Sequence, residues 1–90
     1  MMLLVLLLAA QVTPELTQHV NAGLKAKNAG DLATAIVEFQ RVTEIAPQLA
    51  AAHVNLGAVY YDSKDYARAI APLRRALDLR ARRRVQGRAQ

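Results

Sequence analysis

The stretch that decides the fold is Ala51–Leu79, AAHVNLGAVYYDSKDYARAIAPLRRALDL. Its apolar residues recur at steps of three and four on both sides of Asp62–Asp65, which predicts two amphipathic helices joined by a tight turn. The pattern occurs once before, 34 residues upstream, with nine identical residues. The identical positions in the first copy are His19, Val20, Asn21, Gly23, Asp31, Ala33, Ala35, Ile36 and Arg41. A fixed period of this length indicates an array of helix hairpins.

The first hairpin has clear helix boundaries. Thr13–Glu15 offers a hydroxyl cap, a proline in the first turn and an acid near the positive end of the helix dipole. We expect this helix to end at about Ala29, with Gly30-Asp31 supplying a left-handed residue and the next cap. The second helix carries a buried stripe over Leu32–Ile45 and ends before Pro47.

The second hairpin is expected to have its first helix at about Leu49–Ser63 and its second from Asp65-Tyr66, with the aspartate as the cap. Pro72 lies inside this last helix and lacks an amide hydrogen, which predicts a bend. Two turns of apolar pattern follow it, so we expect one bent helix rather than two. The pattern stops at Leu79, and we expect residues 81–90 to fray.

Composition restricts the chain to one small domain of 90 residues. It contains no cysteine, which excludes disulfides and thiolate metal sites. The net charge of +5 is concentrated in a basic tail, residues 81–90, which has four arginines and no acid; the rest has eight basic and seven acidic residues. The tail is a solvated end, a contact for anionic membrane or nucleic acid, or a product of a changed reading frame. It contains no aromatic residue for base stacking, and we do not expect nucleic acid as the main partner.

The N-terminal segment, residues 1–12, is an apolar leader. Its continuous apolar run, Met1–Ala10, has about half the length of a transmembrane helix, so no transmembrane span is predicted. The run resembles the core of a signal peptide, but no lysine or arginine precedes it. It is a truncated export signal, a helix packed on the first hairpin, or a shortened anchor. The protein is exported or periplasmic in the first case and otherwise cytoplasmic.

No constellation of residues suggests catalysis. His19 and His53 fall at equivalent positions one repeat apart, about 10 Å if the helices pack normally, which is too far for one shared metal ion. The sequence has no Ser/His/Asp or Cys/His set and no glycine-rich phosphate loop. We therefore expect a non-enzyme without metal or cofactor.

These two units resemble the tetratricopeptide repeat family. The second, residues 50–83, has the family's residues at Leu56, Gly57, Tyr60, Ala69, Leu73 and Ala76. The first, residues 16–49, has them at Gly23, Ala35, Phe39 and Pro47. The resemblance implies an all-α fold, a solenoid of helix–turn–helix repeats with four helices plus the apolar N-terminal segment, and a protein-interaction function.

The chain also departs from the family pattern. His19 and His53 stand where tryptophan is common, and Ala81 replaces an expected proline. Family arrays usually have three or more repeats and a capping helix. We therefore expect either the front of a longer array or a reading frame that changes near Arg80.

The resemblance assigns packing roles to eight residues. Gly23 and Gly57 allow close helix approach, with Ala35 and Ala69 as the small residues facing them. The full packing set is Gly23, Ala35, Phe39, Leu56, Gly57, Tyr60, Ala69 and Leu73.

The resemblance also implies a concave groove that binds a peptide or a subunit. Asn21 and Asn55 recur at the position that bonds a peptide backbone in the family. The predicted groove residues are Asn21, Leu24, Lys27, Val54, Asn55 and Tyr61. The alternative for the asparagines is a solvated polar surface. The alternative function is self-association of the repeats into a larger array.

Overall fold

The computed structural model describes residues 13–89, which form four α-helices. They are α1 (Pro14–Asn28), α2 (Leu32–Ile45), α3 (Ala50–Asp62) and α4 (Tyr66–Ala89). The prediction of an all-α fold built from two helix hairpins is confirmed. The apolar leader lies outside the described residues. None of the described helices combines the length and apolarity needed to cross a membrane.

The helices pack in chain order, α1 on α2, α2 on α3, and α3 on α4. A single apolar core runs through the stack, and its most completely buried large side chains are Phe39, Val42 and Val59. Leu16 from α1 and Ala69 from α4 belong to the same core. The two hairpins therefore share one core and form one packed unit.

The turns within the two hairpins have the same hydrogen bonds. In the first, the Asp31 amide donates to the Ala26 carbonyl (2.8 Å); in the second, the Asp65 amide donates to the Tyr60 carbonyl (2.9 Å). Such a bond closes a helix when the preceding residue is left-handed. Gly30 meets this requirement with φ 78°, and the equivalent residue of the second turn is Lys64 with φ 64°. The second turn thus places a lysine in a conformation that favours glycine.

Both hairpins use an aspartate to begin the second helix. The Asp31 carboxylate accepts from the Thr34 amide at 3.2 Å, and Asp65 accepts from the Arg68 amide at 3.3 Å. Hydrogen bonds from the Thr34 side chain and backbone hold the pKa of Asp31 below its ordinary value. The predicted caps are therefore present at both turns.

The substitution Lys64→Gly is expected to stabilise the protein. It removes a left-handed strain of about 1 kcal/mol, partly offset by the greater freedom of glycine in the unfolded chain. We expect the free energy of unfolding to rise by about 0.5 kcal/mol or less in urea titrations followed by circular dichroism. Gly30→Ala is the matched control and has the opposite sign, because a new Cβ meets nothing within 4 Å and only the backbone strain changes. A loss of stability in Lys64→Gly contradicts this account.

The close approach of the helices is made at the two glycines of the predicted packing set. A Cβ on Gly23 would lie 2.6 Å from Phe39 Cε1, and one on Gly57 would lie 2.6 Å from Leu73 Cδ2. Large side chains therefore fill the space that the two glycines leave open. Of the two alanines expected to face the glycines, Ala69 places its carbonyl oxygen 3.4 Å from the Cβ that would be added at Gly57. The glycines therefore make room for a ring and an isobutyl group.

Alanine at these two glycines is expected to cost unequal amounts. Phe39 is 1% exposed and has no space to move, so Gly23→Ala is expected to lower the free energy of unfolding by about 1 to 2 kcal/mol. Leu73 is flexible and 37% exposed, so Gly57→Ala is expected to cost less. Gly87→Ala, where an added Cβ meets nothing within 4 Å, is the control for helix propensity. Equal losses at Gly23 and Gly57 in urea titrations would show that the covering side chain is irrelevant.

The prediction that residues 81–90 fray is wrong for residues 81–89, because α4 continues to Ala89. Arginine, alanine and glutamine favour helix without an apolar face, and arginines near a helix C-terminus interact favourably with its dipole. Arg82 Nε also lies 3.3 Å from Asp78 Oδ2, one turn earlier in the helix. Pro72 lies inside α4 without dividing it.

Candidate peptide-binding surface

Asn21 and Asn55 occupy equivalent positions on α1 and α3, the first helix of each hairpin. The side chain of Asn21 is exposed and that of Asn55 is half-buried. Among the side chains described, residues 13–87, we find no hydrogen bond to either amide. Both amides therefore retain their two donors and their acceptor for another molecule.

The other four predicted groove residues are also accessible to solvent. Leu24 is 40% exposed and Tyr61 is 60% exposed, whereas Lys27 and Val54 are half-buried. The Tyr61 ring packs edge-on against Tyr66, with centroids 5.1 Å apart, which supports it from the start of α4. The set combines two amides, three apolar side chains and one cation. It is suited to hydrogen bonding and apolar contact.

Seven of the eight predicted packing residues are buried. They are Gly23, Ala35, Phe39, Leu56, Gly57, Tyr60 and Ala69. Leu73, at 37% exposure, covers Gly57 with one side and faces solvent with the other. The buried residues of this set contribute to the packing of the two hairpins whose first helices carry Asn21 and Asn55.

The two histidines have different partners. His19 Nδ1 lies 2.6 Å from Glu38 Oε2 and links α1 to α2, whereas His53 Nε2 donates to the Pro47 carbonyl at 2.9 Å. The residue equivalent to Glu38 in the second hairpin is Pro72, so the ion-pair partner is lost there. No group of three potential metal ligands occurs among the described residues. The repeat spacing offers no signal for the His19–Glu38 pair, because Glu38 is not repeated.

Other charged side chains of the first hairpin form a surface network. Arg41 bonds Glu44 at 3.0 Å on its own helix and Glu15 at 3.1 Å on α1. These hydrogen bonds, that of Glu44 first, raise the pKa of Arg41. All three groups are well exposed, so the network contributes little to stability and mainly orients the surface.

The outer side of α2 is covered by α3. Ile36 packs against the core, and Gln40 Nε2 donates to the Tyr60 hydroxyl of α3 at 2.8 Å. This bond satisfies the polar end of a tyrosine that is only 8% exposed. The second helix of a hairpin is therefore the surface on which the next hairpin packs.

The geometry defines a protein of stacked helix hairpins, a class in which each repeat contacts its neighbours. Comparison with protein-family models gives two matches, one described as TPR repeat over residues 27–64 and one as Tetratricopeptide repeat over residues 50–83. The chain belongs to the tetratricopeptide repeat family and contains two repeats. Searches of curated proteins and of solved structures found no match. Repeats of this family generally serve as protein-interaction modules.

Proposed function

We propose that this protein binds an extended peptide segment of a partner protein along the groove residues of α1 and α3, without catalysis. The observation that carries the proposal is the recurrence of an asparagine with a free amide at the same position of both hairpins. Asn21 and Asn55 are separated by 34 residues and by one structural repeat. Two such amides on successive repeats can each bond the backbone of one extended peptide that passes along α1 and α3.

Binding through the backbone explains why the two amides are identical, whereas the groove residues Leu24 and Lys27 are replaced by Ala58 and Tyr61 at the equivalent positions of the second hairpin. Each amide offers donors and an acceptor, so it can bond a peptide N–H and a peptide carbonyl whatever the peptide sequence. Leu24, Val54 and Tyr61 then contribute apolar contact, which depends on the peptide side chains. Lys27 is the one cation among the six groove residues, so the groove offers a weak preference for an acidic peptide rather than a carboxylate clamp.

The combined substitution Asn21→Ala and Asn55→Ala tests the groove. Peptides are selected from a displayed random library on the full chain, and the affinity of the best one is measured by calorimetry. Loss of two hydrogen bonds at about 1 kcal/mol each is expected to weaken binding about thirtyfold. Circular dichroism is expected to be unchanged, because neither amide supports the fold.

Gln18→Ala is the matched control, since it removes an exposed amide from the same helix α1 outside the six groove residues. It is expected to bind the selected peptide as tightly as the unaltered protein. Equal affinity in the control and in the double asparagine variant would reject the groove assignment. A concentration-dependent dimer in sedimentation that excludes the peptide would favour self-association instead.

A further inference from the structure

The outward side of α4 carries a continuous stripe of large apolar residues. Tyr66, Ile70, Leu73 and Leu77 follow one another at steps of four, three and four. Their exposed fractions are 54%, 51%, 37% and 67%. This period of 3.5 residues keeps side chains on one face and is the spacing at which two helices pack side by side. We call these four residues the outer stripe.

The same spacing continues past the outer stripe into charged residues. Arg80 and Arg84 follow Leu77 at steps of three and four, and both are exposed. Beside the stripe, Arg74 borders a shallow hollow that also includes Ile70 and Ala71. One face of α4 is therefore apolar in its first half and cationic in its second half.

The first hairpin shows what normally covers such a face. Ile36 and Gln40 of α2 are equivalent to Ile70 and Arg74 of α4, 34 residues later. Ile36 is half-buried and Gln40 bonds Tyr60 of the covering helix α3. At the equivalent place on α4, Ile70 remains 51% exposed and no helix of the described residues covers it. By this internal comparison, the outer stripe is a surface on which another helix can pack.

A second copy of this chain is poorly suited to pack on the outer stripe. Two α4 helices side by side would bring together helices with eight arginines and one aspartate each. The first helix of another copy fits no better. The positions of Ala52 and Val59, which are buried on α3, are occupied on α1 by Gln18 and Lys25. Both of these side chains are exposed. Burying an unpaired lysine is costly.

The distribution of charge indicates the chemistry of the occupant. Residues 66–90 contain eight arginines and one acid, a formal charge of 8 − 1 = +7, whereas residues 1–65 contain four basic and six acidic residues, 4 − 6 = −2. The two parts sum to the net charge of +5. Asp78 is the one acid of α4 and already pairs with Arg75 and Arg82. The arginines at the end of the stripe are therefore available to pair with acidic residues of another molecule.

We propose that the outer stripe binds an amphipathic helix of a partner protein, whose apolar residues cover Tyr66 to Leu77 and whose acidic residues pair with Arg80 and Arg84. This surface adjoins the groove where Tyr66 packs against Tyr61, but it includes neither Asn21 nor Asn55. Apolar burial supplies the affinity, and the arginine pairs determine register and selectivity.

The test uses a synthetic amphipathic helical peptide with a fluorescent label. In one half of the peptide the heptad positions that would contact α4 are leucine, and in the other half they are glutamate. It is made in both chain directions and titrated with the full chain by anisotropy. One direction is expected to bind, and Ile70→Ser with Leu77→Ser is expected to weaken it at least about tenfold. Arg80→Gln with Arg84→Gln is expected to weaken it and to reduce its salt dependence. The same peptide with lysine for glutamate is expected not to bind.

Matched controls separate this surface from others. Val37→Ser removes an apolar side chain of α2 that is 62% exposed, and Arg68→Gln removes an arginine of α4 outside the stripe; both are expected to bind normally. Asn21→Ala with Asn55→Ala is also expected to bind normally, so failure of the groove proposal leaves this one intact. Apart from Asn55, which is half-buried, the variants replace exposed side chains, and circular dichroism checks that helicity is retained.

Four results would overturn the proposal. The first is absence of binding, or equal binding of the lysine peptide. The second is unchanged affinity in Ile70→Ser with Leu77→Ser. The third is a dimer of the free protein in sedimentation that this variant dissociates, which would make the occupant a second copy. The fourth is tighter binding to phosphatidylserine vesicles or a single-stranded oligonucleotide than to the peptide, retained in the same variant.

Discussion

The structure depends on the fit between Phe39 and Gly23. The ring lies where any other residue would place a side chain, within 2.6 Å of a Cβ that glycine lacks. This brings α1 close to α2, and the buried ring then contributes to the core that α3 completes. Glycine in a helix interior costs about 1 kcal/mol relative to alanine. Burial of the aromatic ring area is what offsets this cost. The position of α1 on α2, and with it that of the predicted groove residues Asn21, Leu24 and Lys27, depends on this contact.

The second hairpin repeats the fit with weaker components. Leu73 covers Gly57, but it is smaller than phenylalanine and has solvent on its other side. Lys64 takes the left-handed position that Gly30 occupies in the first turn. Pro72 stands in place of Glu38, so His53 bonds the backbone of the preceding loop instead. The second hairpin thus keeps the fold through the shared core with α2, while its outer side is less completely packed.

Residues that act through local spacing were predictable from the sequence. Thr13, Asp31 and Gly30 specify helix ends by their own conformational preferences, and the observed ends lie within one residue of the expected ones for α1 to α3. The end of α4 was not predictable from apolar period, because arginine-rich helix needs no buried face. The contacts of Phe39 with Gly23 and of His19 with Glu38 depend on how two helices cross, which no spacing along one helix specifies. The exposure of the six predicted groove residues could be predicted only from the resemblance to the family pattern.

The separation of charge along the chain affects how the molecule meets other molecules. With seven positive charges in excess on α4 and two negative ones on the remainder, the protein is a strong electric dipole as well as a net cation. Residues 80–87 are exposed on all sides, so the positive pole extends beyond the packed body. Such a molecule rotates in the field of a negative object before contact, which raises productive encounter rates at low salt. The electric field thus orients the protein before contact. The apolar contacts then have only to hold the two molecules in an orientation that is already correct.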